Sequence, residues 1–180
     1  MINHTQEVLN KAKQIELIIS DVDGVLTQGE LFFDKDGNEM FGKFNIYDGF
    51  AFIIANECGI HTAIISGRHS MCTENRFNKL RCNEIHTGIL NKKEKLIEVA
   101  TRLNIPYDKI AFVGDDLIDL SAMHMVGLTI APKNAVSEVL KSVDHVTETL
   151  GGRGVFREVV ELILHAQGKL DGYIKQYHNS

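Results

Sequence analysis

Asp21 and Asp23 stand two residues apart where the apolar run Leu17-Ile-Ile-Ser meets Gly24. In a strand, alternate residues share a face, so both carboxylates point the same way, and Gly24 lets the chain turn away behind them. Two acids so placed repel each other unless a cation lies between them. The chemistry they could do together is phosphoryl transfer. Asp21 would attack phosphorus as a carboxylate and form an acyl phosphate. Asp23 would protonate the leaving alcohol and later take a proton from the hydrolytic water. Three further groups suit the same reaction. Ser66 and Gly67 can donate hydrogen bonds to phosphoryl oxygens, and Lys92 supplies a compact positive charge for the nucleophile and the transferring group. In the run Gly114-Asp115-Asp116-Leu-Ile-Asp119, Asp115 completes a magnesium site, since that ion takes oxygen ligands and one or two carboxylates. Asp116 and Asp119 are expected just behind it.

Each of these motifs alone is also ordinary turn or helix-cap chemistry. Their placement sets them apart. Apolar runs at residues 17–20, 61–66, 110–114 and 127–131 end at small or acidic residues, with weaker candidates at 84–86 and 145–146. Helical segments are expected at residues 48–58, 70–79, 92–103, 117–124, 137–141 and 154–168, and an amphipathic piece at 6–13. Strands alternating with helices predict a doubly wound α/β fold, a parallel sheet covered on both faces with right-handed crossovers. The four chemical motifs then fall at strand ends or a helix start along one edge, where open α/β sheets hold their ligands.

The remaining composition narrows the class. With 180 residues and 44% hydrophobic content, the chain can bury one substantial core, and a single domain over residues 1–180 is expected. A formal charge of −5 argues against nucleic acid as a partner. Cys58, Cys72 and Cys82 lack the short paired spacings of zinc or dithiol motifs and read as reduced thiols. No stretch has the length and hydropathy of a membrane span or a signal core, so a cytoplasmic protein without membrane contact is expected.

Residues 30–47 break the alternation. Asp36-Gly37 lies between two aromatic-rich extended runs, the pattern of a β-hairpin. The apolar side chains of Leu31, Phe32, Phe33, Met40, Phe41 and Phe44 are too much to leave in water, so the hairpin is expected to pack against other subunits. The alternative is that it folds back on its own chain. The polar, glycine-containing tail at 169–180 is expected to fray, with docking into a neighbouring site as the alternative. Arg153, between glycines, could meet a carboxylate through two parallel hydrogen bonds. His61, His86 and His145 read as structural.

Taken together, these motifs resemble those of the haloacid dehalogenase superfamily of phosphohydrolases, over nearly the whole chain. The resemblance implies that Asp21 is the nucleophile and Asp23 the acid/base, and that magnesium meets Asp21, the Asp23 backbone carbonyl and Asp115. The intervals between motifs leave no room for a cap domain. The hairpin, the stretch from Gly42 to Gly49, the loop Gly151-Gly-Arg153-Gly154 and the Ala166-Gln-Gly-Lys169 ending are similar to the capless members that hydrolyse eight-carbon sugar acid phosphates for lipopolysaccharide synthesis. That likeness implies a homotetramer whose subunits cover one another's sites. It also implies that Phe44, Asn45, Ile46, Tyr47, Asp48, Arg68, Arg76 and Lys92 help to hold substrate. Two alternatives stay open: a nine-carbon sialic-type acid phosphate as substrate, and an oligomerisation module with little turnover.

Overall fold

The computed structural model describes residues 4–178; residues 1–3 and 179–180, at the ends of the expected domain and tail, lie outside the described residues. Six strands form one parallel sheet: β1 (Leu17–Ser20), β2 (His61–Ile65), β3 (Glu84–His86), β4 (Ile110–Val113), β5 (Leu128–Ala131) and β6 (His145–Val146). Their spatial order is β3-β2-β1-β4-β5-β6. The chain winds outward from β1, then returns to lay β4 on its other side, so the order reverses between β1 and β4. Doubly wound sheets place their ligands at such a reversal, just beyond the strand carboxyl ends. Asp21 follows β1 and Asp115 follows β4 across that gap, and the Asp21 amide donates to the Val113 carbonyl at 2.9 Å.

Helices cover both faces, which explains why the strands read as unbroken apolar runs. Ile18, Ile64, Ala111, Val113, Leu128 and Ile130 pack on one side with α1 (Gln6–Ala12), α2 (Ile46–Glu57), α3 (Met71–Lys79) and α7 (Val155–Ala166). Leu17, Ile19, Ala63, Ile65, Ile110 and Phe112 face α4 (Lys92–Leu103), α5 (Leu117–Met123) and α6 (Ser137–Leu140). Phe52 of α2 stacks on Phe156 of α7 at 3.9 Å between centroids and also meets Phe77 of α3.

Two elements differ from expectation. The segment expected as a hairpin pairs only briefly, through the bridge Phe33 to Glu39 and the bonds from the Met40 amide to the Phe32 carbonyl and from the Asp34 amide to the Asn38 carbonyl. Its turn is held by Asp34, whose carboxylate accepts from the amides of Asp36 and Asn38. Pairing stops there because the chain must bend inward, so that Phe44 can pack edge-on against Phe77 at 5.5 Å. The tail, expected to fray, forms α8 (Leu170–His178). It docks through Tyr173, whose hydroxyl donates to Glu57 at 2.8 Å, while the Lys169 ammonium donates to the Cys58 carbonyl. Tyr173 lies 116 positions from Glu57 in sequence, so only tertiary packing gives it that partner. Among the described residues no helix is long and apolar enough to cross a membrane.

Candidate active site

The loop after β1 closes on itself as the amides of Leu26 and Thr27 donate to the Val22 carbonyl. Gly24 has φ +92°, and a Cβ there would collide with the Asp115 carboxylate, so glycine is required both for the turn and for the close approach of the two acidic loops. Opposite, α5 begins with a capping box in which Asp116 and Asp119 each accept from the other's backbone. One oxygen of Asp119 takes the amides of Asp115 and Asp116, at 3.0 and 3.2 Å, and so fixes the loop that carries Asp115.

Lys92, the first residue of α4 after its cap Asn91, is only 1% exposed and belongs to this cluster rather than to solvent. Its ammonium donates to Asp21 at 2.8 Å and to the second oxygen of Asp119 at 2.6 Å. Burial works against the charged lysine, but the pull of the two carboxylates outweighs it and holds its pKa above the ordinary value. For the acids the balance runs the other way. Burial, reinforced by the charge of Asp119, raises the Asp21 pKa, with Lys92 opposing. Burial and then the charges of Asp21, Asp119 and Asp116 push Asp115 up to about 8.

One cation therefore faces three carboxylates, and ligand oxygens of Asp21, Asp115 and Asp119 lie within 4.8 Å of one another. One oxygen of Asp115 is buried with no hydrogen-bond partner. A buried, unpartnered carboxylate oxygen amid excess negative charge, with only oxygen donors around it, fits a hard divalent ion such as magnesium. The side chain of Asp23 stands outside this acidic group. Arg68 grips it with two N–H groups, at 3.0 and 3.1 Å, and the Thr27 hydroxyl lies 3.4 Å away. Ser66 is buried at the end of β2, its hydroxyl closing its own loop on the backbone of Arg68.

Asp21, Asp23, Ser66, Gly67, Arg68, Lys92, Asp115 and Asp116 line one cleft of about 270 Å³, joined by Gly29, Leu31 and Ile118. The other expected substrate residues do not line it. Phe44 is packing. Asn45 caps α2 by accepting from the Tyr47 amide, which is why that helix starts two residues earlier than expected. Asp48 is buried and accepts from the Arg157 amide at 3.0 Å, capping the first turn of α7, whose own N-cap, Gly154, has no side chain to offer. Arg76 lies against Gly49, where a Cβ would strike its guanidinium. Ile46 and Tyr47 are 75% and 66% exposed, and Arg153 is exposed.

Besides Gly29, Leu31 and Ile118, one charged residue of the site escaped sequence reasoning. Glu39, from the expected hairpin, accepts from the remaining arm of the Arg68 guanidinium at 2.7 Å and from the Ser70 hydroxyl at 3.1 Å. It lies 29 positions from Arg68 and in no motif, so no local signal points to it.

The fold and this site define a hydrolase class, and comparison with known proteins agrees. The haloacid dehalogenase-like hydrolases match over residues 62–159, and the chain belongs to that family. Among curated relatives, 3-deoxy-D-manno-octulosonate 8-phosphate phosphatase KdsC of Escherichia coli K12 is 40% identical over 165 residues, covering 92% of this chain and 87% of that one. The Yersinia pestis enzyme of the same name is 37% identical over 166 residues, covering 92% and 88%. A solved phosphatase of that name from Moraxella catarrhalis, in complex with magnesium, phosphate and a KDO molecule, superposes with a TM-score of 0.93 at 35% identity, covering 97% of this chain and 99% of that one.

Proposed function

We propose that this chain, as a single domain, hydrolyses 3-deoxy-D-manno-octulosonate 8-phosphate to the free sugar acid and phosphate, with magnesium, in the cytoplasm and in the service of lipopolysaccharide synthesis. The observation that carries this reading is the buried group of Asp21, Lys92, Asp119 and Asp115 at the strand-order reversal, with its unpartnered carboxylate oxygen. The relatives named above, one of them solved with magnesium, phosphate and KDO, support the choice of substrate.

Asp21 and Asp115, with the Asp23 carbonyl, would hold the magnesium ion. When bound, the ion offsets negative charge shared by the nucleophile and the phosphoryl group. Asp21, oriented by Lys92, forms a bond to phosphorus while the bond from phosphorus to the sugar oxygen breaks. Asp23 delivers its proton to that departing oxygen, then accepts one from the water that cleaves the aspartyl phosphate and frees inorganic phosphate. Ser66 and Gly67 donate to the phosphoryl oxygens, the serine turning its proton from the Arg68 carbonyl to do so, and Lys92 meets the charge that develops in transit. Asp119 keeps Lys92 in place, and with Asp116 it fixes the Asp115 loop. Arg68 faces the sugar.

We assign the exposed Leu31, Phe33, Met40 and Phe41 to contacts between copies in a homo-oligomer, a tetramer, since so much apolar surface on one projection calls for a cover. Ile46, Tyr47 and Arg153, which do not line their own cleft, would then serve a neighbour's. Phe44, Asn45, Asp48 and Arg76 hold the frame from which those side chains project.

Phosphate release from a panel of sugar phosphates, with magnesium and then with a chelator, tests the whole reading. Turnover of the eight-carbon acid phosphate that stops with the chelator is expected; preference for a nine-carbon acid phosphate would overturn the substrate.

A further inference from the structure

Each of the three nitrogens of the Arg68 guanidinium bonds a protein carboxylate. Nε and one terminal nitrogen bond the two oxygens of Asp23, at 3.1 and 3.0 Å, and the other terminal nitrogen bonds Glu39 at 2.7 Å. An arginine in a ligand cleft is the group that matches an anion in two parallel bonds. Here two protein carboxylates already occupy it, and an incoming anion must compete with them.

The two acids hold it on unequal terms. Asp23 follows a central strand and is fixed by the turn behind it. Glu39 rides on a projection that pairs with itself through a single bridge and is otherwise open to water. Its second oxygen rests on the Ser70 hydroxyl, so its position is specific rather than a chance surface encounter. The ion pair is part-buried, with side chains 31% and 19% exposed, and an exchange of one carboxylate for another there costs little desolvation. Of the two, Glu39 is the one an incoming anion can displace.

We propose that Glu39 is a resident stand-in for a substrate anion, a specificity-determining residue that a ligand must displace to win Arg68. Displacement also frees residues 31–40 from the site, since Glu39 is their charged link to the loop carrying Arg68. A neutral sugar end leaves Glu39 seated and gains nothing from Arg68; an anionic end exchanges with it. This rests on the proposed reaction for the identity of the ligand, which brings two anions, a phosphoryl group and a carboxylate.

The test compares KM and kcat of the full-length protein with those of Glu39→Gln and Glu39→Asp, on the eight-carbon sugar acid phosphate and on glucose 6-phosphate, which has no carboxylate. Glu39→Gln keeps the shape and removes the competing charge, so KM for the sugar acid phosphate is expected to fall about two- to fivefold, the scale of a partly exposed ion pair, with kcat changing less. Glu39→Asp, which keeps the charge, is expected to restore KM toward that of the unaltered protein. A fall confined to the sugar acid phosphate makes the carboxylate the displacing group; a fall on both substrates makes it the phosphoryl group. A KM that rises or stays unchanged in Glu39→Gln overturns the inference, since Glu39 would then be supporting Arg68 or merely fastening the loop. If the unaltered protein releases no phosphate from the sugar acid phosphate, the proposed function fails, whereas turnover with a KM that Glu39→Gln leaves unmoved or raises overturns the role of Glu39 alone.

Discussion

The acidic cluster at the sheet edge and the projection at residues 31–47 meet at one cleft but are built on opposite terms. Asp21, Asp119 and Lys92 are buried, hydrogen-bonded to one another and set on the ends of β1 and the first turns of α5 and α4. Leu31, Phe33, Met40 and Phe41 are exposed and held by one bridge, a turn and the ion pair of Glu39 with Arg68. The cluster is rigid because Asp21 and Asp119 both depend on Lys92, and removing that ammonium leaves two buried carboxylates without a counter-charge. The projection tolerates exchange because its contacts are few and wet. In the proposed reaction, chemistry falls to the fixed region and choice of ligand to the loose one.

Substitutions in the two regions should separate accordingly. The largest effect is expected from Asp21→Asn, which removes the proposed attacking carboxylate while keeping its size; turnover should fall at least about a thousandfold with an unchanged circular dichroism spectrum. Full activity in that variant would remove Asp21 from the reaction. Lys92→Met strips the only cation from the cluster and should lower stability by about 3–5 kcal/mol in denaturant titrations, as breaking a buried pair does. A loss below 1 kcal/mol would show that the carboxylates need no partner. In the loose region, Phe33→Asp combined with Met40→Asp should leave the denaturation midpoint nearly unmoved yet reduce the mass seen by light scattering. An unchanged mass would sink the subunit-contact role of the projection.

The smallest effect sharpens the boundary between the two regions, at Asp48. Burial pushes its pKa from 3.8 up to about 6, against the pull of the Arg157, Phe156 and Gly154 amides. The folded state therefore holds this proton more tightly than the unfolded chain. The resulting stability is complete below about pH 4 and lost as pH rises through about 6, on the order of 2–3 kcal/mol. Asp48→Asn keeps an acceptor for the α7 amides and removes the titration, so stability should fall less between pH 4 and pH 7 than in the unaltered protein. An identical fall in both would assign the pH dependence elsewhere.

Residues 17–24 and 110–119 were legible as sequence because their information is local. An apolar run of four or five residues, then acids and a glycine, specifies a buried strand and what hangs from its end, whichever strands come to flank it. The same held for the weak strands at 84–86 and 145–146, whose neighbours in chain order supplied the alternation. The isolated charges were harder. Lys92 sits in Asn91-Lys92-Lys93-Glu94-Lys95, where its type matches that of its solvated neighbours, and nothing in that run marks the one that is 1% exposed.

The amino-acid sequence by itself thus determined the parallel sheet and the edge on which Asp21, Asp23 and the loop of Asp115 come together, because periodicity and strand ends are properties of consecutive residues. Only the tertiary structure decided that Asp48 caps a helix that begins 107 positions later, that α8 docks on Glu57, and that Glu39 and Asp23 share one guanidinium. Those pairings join side chains far apart along the chain. Their energies come from burial and charge proximity, which exist only once the sheet has closed the distances between them.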